Sequence, residues 1–142
     1  MASFNKFQNF VEDLGLGVHN LNTGTLNVYL SNATPSASGD AVKADMAEIT
    51  NQNGYTAPVD TQNTYAESGG TGTLTGTKVV VTASGAVGPF QYVVLYNDTP
   101  TSPADPLIGW WDYGSALTLA SGETFSIKFN NSDTTGTILT IA

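Results

Sequence analysis

Few side chains in this sequence could do chemistry, and none falls into a pattern that a reaction demands. His19 is the only histidine and cysteine is absent, so a His-based triad or a His/Cys metal cluster could have one member at most. His19 stands where a helical segment hands over to the first strand, a place that suits a hydrogen-bonded structural role. Carboxylates are the remaining catalytic option, and a glycosidase needs two of them across a sugar cleft. Asp112 lies beside Trp110, Trp111 and Tyr113, and Glu123 follows on a nearby strand. Yet Asp112 opens a turn, where Asp is favoured for its local hydrogen bonds, and Glu123 after Gly122 is an ordinary turn exit. No enzymatic activity is expected. A calcium loop crowds several oxygen ligands together. Asn97, Asp98 and Asp105 flank a proline-rich loop and Asp133 sits in NNSDTTG, but neither stretch has the EF-hand pattern, and such residues usually cap turns. No metal and no cofactor is expected.

Trp110–Trp111 is the most informative pair. Neighbours on a strand point to opposite faces, so both indoles cannot enter one core. One is expected inside and the other at a boundary. There it is either covered by the loop at 97–106 or offered to a partner, protein or sugar, since Trp is enriched at binding hot spots.

The elements that must position these residues read as strands. The stretch 88–130 holds both tryptophans and is rich in β-branched and aromatic residues bounded by turn residues. In 124–129 the alternation is clean, with Phe125, Ile127 and Phe129 on one face. The run 92–96 is apolar on both faces, so it is either central in a two-layer fold or shows Tyr92 and Tyr96 to a partner. Strands are also expected at 25–30, 78–83, 107–113, 116–120 and 137–141. Tight turns are expected at Gly114–Ser115 and Ser121–Gly122, with Leu139 and Ile141 inside. Leu26, Val28 and Leu30 should face inward, and Asn27 and Tyr29 outward. Residues 3–16 form the one helical candidate, with Phe4, Phe7, Phe10, Val11 and Leu14 on a single stripe. A helix packed over one end of the sheets is favoured over an arm laid on a neighbouring subunit. Residues 42–49 are ambiguous between a helical turn and an extended segment, with Lys43 able to pair with Asp45 or Glu48. Residues 50–77 lack periodicity. They are read as an irregular, partner-ordered segment mixed with short edge strands near 63–67 and 72–77.

The whole is expected to be all-β: one β-sandwich or jelly-roll domain over 1–142, with about eight antiparallel strands and a helical arm within 1–20. Its 142 residues are enough for one sizeable core. Charged residues make up only 11%, against roughly 25% usually, and Ser, Thr, Asn and Gly take their place. Such a surface suits crowded extracellular or virion assemblies and secreted binding modules. The net charge is −8, with four lysines and no arginine, which argues against nucleic acid and anionic membranes as partners. No run of about 18 apolar residues suggests a membrane-spanning helix. The first residues lack a signal-peptide pattern, so synthesis in a cytosol is expected, with exit by lysis or no exit at all.

GPFQYVVLYND, PLIGWWDYG and SGETFSIKF, with the opening MASFNKFQNFVEDLGLGVHNL and the VKADMAEIT segment, resemble a family of small virion proteins of tailed bacteriophages. The resemblance covers most of the chain and is least distinctive at 57–77. It implies a capsid cement (decoration) protein with a β-sandwich or jelly-roll fold. Such a protein sits on the outer capsid surface over junctions of the major capsid protein. A tail or baseplate component, or a glycan-binding adsorption module, is the alternative. Cement proteins of this kind act as dimers or trimers; a homodimer is favoured, because symmetric pairs are commonest. The contact residues expected on this reading are Phe4, Phe7, Phe10, Tyr92, Tyr96, Trp110 and Trp111.

Overall fold

The structure, a computed structural model, describes residues 2–142. It is mostly β, with antiparallel sheets and one short helix, as the patterning predicts. The largest sheet runs in the order β1 (Asn5–Lys6), β8 (Leu107–Leu119), β7 (Val87–Asn97), β2 (Leu26–Ser31) and β3 (Val59–Asp60). A second sheet has the order β10 (Thr135–Ile141), β5 (Thr71–Thr77) and β4 (Thr64–Ser68), and β6 (Val79–Thr82) pairs with β9 (Thr124–Ile127). Only Lys78 separates β5 from β6, and its N–H donates to the Thr134 carbonyl at 2.8 Å.

The main core lies between these layers. Leu26, Val28, Leu30, Val93, Leu95 and Ile108 of the large sheet meet Leu74, Val79, Val81, Ile127 and Ile138 from the other strands and Phe129 from the 3-10 turn after β9. A second cluster fills the opposite face of the large sheet: Tyr29, Tyr92, Val94, Tyr96 and Leu107, covered by Phe7, Met46 and Ala33. That explains the two-faced run at 92–96. β7 is the middle strand of five, and the chain itself covers both of its faces. All six residues of β2 are buried for the same reason, so Asn27 and Tyr29, expected outside, are inside.

The expected helix at 3–16 is shorter. Asn5 and Lys6 pair with Trp110 and Gly109, and α1 spans Asn9–Gly15. Phe4, Phe7 and Phe10 therefore do not share one stripe: Phe7 joins the second cluster, while Phe10 and Phe4 join the main core. Extended backbone at 5–6 puts successive side chains on opposite faces, and pairing with β8 outweighs helical periodicity. Within 50–77 the edge strands do form. β4 and β5 are joined at Gly69–Gly70, whose φ angles of 61° and 86° suit a two-residue hairpin turn. Residues 42–49 contain a single 3-10 turn, Lys43–Asp45, and Lys43 pairs with Glu48 at 3.1 Å.

Two further expectations change. A bulge between Thr137 and Leu139 turns Ile138 inward and leaves Ile141 exposed. And 107–119 is one strand, not two. Gly114–Ser115 lies in a bulge, where Gln91 alone faces 113–116 between the pairs Tyr92–Asp112 and Phe90–Leu117.

Candidate binding surface

β8 sends its two tryptophans to opposite faces, as neighbours on a strand must be. Trp110 packs on Phe7, with ring centres 4.6 Å apart, on the side of the second cluster. Trp111 lies on the other side, edge-on to Phe4 at 5.3 Å and tilted over Phe129 at 5.6 Å. Neither is fully buried. Phe7 thus covers Trp110, while Phe4 and Phe129 share the cover over Trp111.

Two residues beyond Trp111, Tyr113 leaves the ladder in the bulge and is 55% exposed, with its ring 5.8 Å from that of Phe125. Trp111, Tyr113, Phe125 and Ile127 then wall an open groove of about 210 Å³, with Ser126, Lys128 and Asn131 at its lip. Lys128 ion-pairs with Asp133 at 2.6 Å, and that ammonium holds the Asp133 carboxyl below the usual carboxylate range. The groove is thus apolar and aromatic with a polar margin, the make-up of a surface that takes an apolar side chain or the face of a sugar ring.

Asp112 holds the bulge in shape. Its Oδ1 accepts from the Gly114 N–H at 2.7 Å and from Gln91 Nε2 at 3.0 Å. Glu123 Oε2 accepts from the Ala120 N–H at 2.9 Å, closing the turn around Gly122. Both carboxylates are occupied in shaping local backbone.

His19 is buried, with Nδ1 3.2 Å from Asn97 Nδ2 and its ring edge-on to Phe10. Burial lowers its pKa, against an opposing pull from Asp13. Among the described residues no three His, Asp or Glu side chains converge as metal ligands. Asp98 and Asp105 do come together, and burial followed by the Asp98 carboxyl raises the pKa of Asp105, with Lys43 opposing.

Of the seven contact residues expected from the sequence, Phe7, Phe10, Tyr92 and Tyr96 are buried within the chain. Phe4 and Trp110 are half-buried in its packing, and Trp111 alone lines the groove. Tyr113 and Phe125 were not among the seven. The signal for Tyr113 was its place two residues after Trp111, on the same face of the strand. That for Phe125 was masked by its regular alternation with Ile127, which reads as core. Compared with known proteins, the chain matches no family model, no curated protein and no solved structure.

Proposed function

We propose that this chain is a non-catalytic structural protein of a tailed-bacteriophage virion, a cement protein that binds the outside of the major capsid protein shell. The specific identity comes from the sequence resemblance. The single structural observation in its favour is the Trp111–Tyr113–Phe125 groove, an exposed aromatic surface on a β scaffold whose charge-poor exterior suits a crowded lattice. Cement proteins need contacts and no active site. A chain that binds only the assembled shell stabilises it by mass action, and many equivalent copies do so with modest affinity each. Sandwich or jelly-roll connectivity, location on the outer capsid and self-association belong to the same proposal. A homodimer is favoured over a trimer, but Tyr92 and Tyr96 are spent in the core, so the self-contact must lie elsewhere. The net charge of −8 disfavours nucleic acid and anionic membrane as partners.

One observation favours a second reading. Trp111 and Tyr113 side by side, with a polar lip, would also hold one sugar ring, as a tail or baseplate adsorption module requires. The deciding measurement is the ratio of this chain to the major capsid protein in purified tail-free heads. A ratio fixed by icosahedral symmetry, falling at least tenfold in Tyr113→Ala particles, is the expected result. Absence from tail-free heads, with a few copies per whole particle, would overturn the cement reading in favour of the second.

A further inference from the structure

His19 and Asn97 meet in the interior, at 6% and 1% exposure, and join the segment after α1 to the end of β7. Asn97 fixes the chemistry of that contact. Its Oδ1 accepts from the Thr99 N–H at 3.1 Å, so the group 3.2 Å from His19 Nδ1 is the Nδ2 amide. An amide nitrogen only donates. Nδ1 is therefore the acceptor, and the neutral ring carries its proton on Nε2. Among the described residues Nε2 has no partner, so all of the ring's hydrogen bonding runs through Asn97. A Cβ on Gly24 would stand 3.0 Å from both Nδ2 and Oδ1, so the amide is closely backed on that side.

Protonation reverses the contact. An imidazolium donates through both nitrogens, which sets the Nδ1 proton against the Asn97 N–H groups. Turning the amide over gives the ring an acceptor but sets Nδ2 against the Thr99 N–H. Either way a hydrogen bond is lost at the root of the loop at 97–106. That root is what holds the loop to the start of β2. Thr99 Oγ1 accepts from the Thr25 N–H at 2.9 Å, and the Asp98 N–H donates to the Thr25 carbonyl at 2.9 Å. The surroundings offer the ring one counter-charge. Asp13 on α1, itself buried and bonded to Asn9 Nδ2 at 2.9 Å, attracts the imidazolium. Phe10 lies edge-on to the ring, and the cavity wall beside it adds Leu14, Leu21, Tyr65 and Ile141, of which only the Tyr65 phenol titrates. The Asp98 carboxylate accepts from Asn27 Nδ2 at 3.1 Å.

We infer that the His19–Asn97 contact is an acid-sensitive latch: a proton on His19 Nδ1 breaks it and frees the loop at 97–106 from the start of β2. Burial and the hydrogen bond from Asn97 both favour the uncharged ring in the closed form. Burial lowers the pKa of His19, and Asp13 opposes. In the open form the ring meets water and titrates near the ordinary value of about 6.5. Each pH unit below that favours opening by up to about tenfold, until the closed form also takes the proton. Histidine is the side chain whose ordinary pKa places such a change near physiological pH. The sequence locates His19 between helix and strand but not its partner, 78 residues away.

The test is NMR of the full chain, with backbone amide exchange followed from about pH 7.5 to about pH 5. At the upper pH the ring nitrogens should report the Nε2–H tautomer. Protection factors, corrected for the pH dependence of chemical exchange, should fall by about tenfold at Thr25, Asp98 and Thr99 on acidification. At every pH these three should stay at least about tenfold less protected than Tyr29 and Val94, paired between β2 and β7, because the opening is local. His19→Asn supplies an acceptor that does not titrate, so its loop protection should not change with pH. Asp13→Asn removes the counter-charge and should move the transition to lower pH. An Nδ1–H tautomer, constant loop protection in the wild type, or an equal fall in His19→Asn would overturn the latch. So would loop protection equal to that of Tyr29 and Val94, which means exchange only through whole-chain unfolding. A transition that Asp13→Asn leaves in place or raises would do the same. None of these residues lines the Trp111 groove, so the outcome is independent of the capsid proposal.

Discussion

Replacing Phe7 with alanine distinguishes two uses of the chain's first aromatic residues. In the structure Phe7 has no exposed surface. Its ring lies 4.6 Å from that of Trp110, and its N–H donates to the Ile108 carbonyl at 3.1 Å. Met46, Leu107 and Tyr29 close the same cluster. Truncating a fully buried phenylalanine removes its transfer free energy and leaves a cavity that its neighbours refill only in part, a loss of about 3–5 kcal/mol. That is a large share of the roughly 5–15 kcal/mol that separates folded from unfolded chains. For a chain near 150 residues it corresponds to a fall in Tm of roughly 6–20 °C. The assay is urea unfolding followed by tryptophan fluorescence, with the slope of the transition compared to show that the change lies in stability. Phe4→Ala, at a half-buried site against Trp111, should cost roughly half as much. A loss under about 1 kcal/mol for Phe7→Ala, the scale of a surface substitution, would refute the reasoning. It would restore the picture of a free arm whose phenylalanines wait for a neighbouring subunit.

Three further outcomes follow from the packing. The folded-state pKa of His19 is lowered, so the unfolded chain binds its proton more readily; stability should hold above the ordinary histidine pKa of about 6.5 and fall as pH drops below it. His19→Gln should flatten that part of a pH–stability curve, and an unchanged slope would show that another group causes it. At Gly109 a Cβ would run into the Phe4 ring and the Asn5 carbonyl, so Gly109→Ala should cost about 1–3 kcal/mol and red-shift tryptophan emission as β1 is displaced and Trp111 is uncovered. Asp112→Ala removes the acceptor for the Gly114 N–H and Gln91 and should speed hydrogen exchange at Gly114 by about tenfold, with a stability loss of about 1 kcal/mol. Exchange at the wild-type rate would mean that the bulge is held by its backbone alone.

The sequence by itself determined the all-β class, the presence of one short helix near the chain's start, the edge strands near 63–67 and 72–77 and the burial of Ile127 and Phe129. These are local properties: a period of two, a glycine where φ is positive, a turn residue between apolar runs. Only the tertiary structure decided where the apolar faces go. Tyr92 and Tyr96 read equally as core or as interface until Phe7, Met46 and Ala33 were seen to cover them. Phe4, Phe7 and Phe10 looked like one stripe until two residues of pairing with β8 divided them between two cores. The bulge that swings Tyr113 out beside Trp111, and the hydrogen bond that joins Asn27 to Asp98, depend on partners 20 or more residues away. Periodicity records that a side chain will be buried or exposed on one side of an element. Which surface meets it is set by long-range pairing and packing, energies to which no single stretch of chain contributes alone.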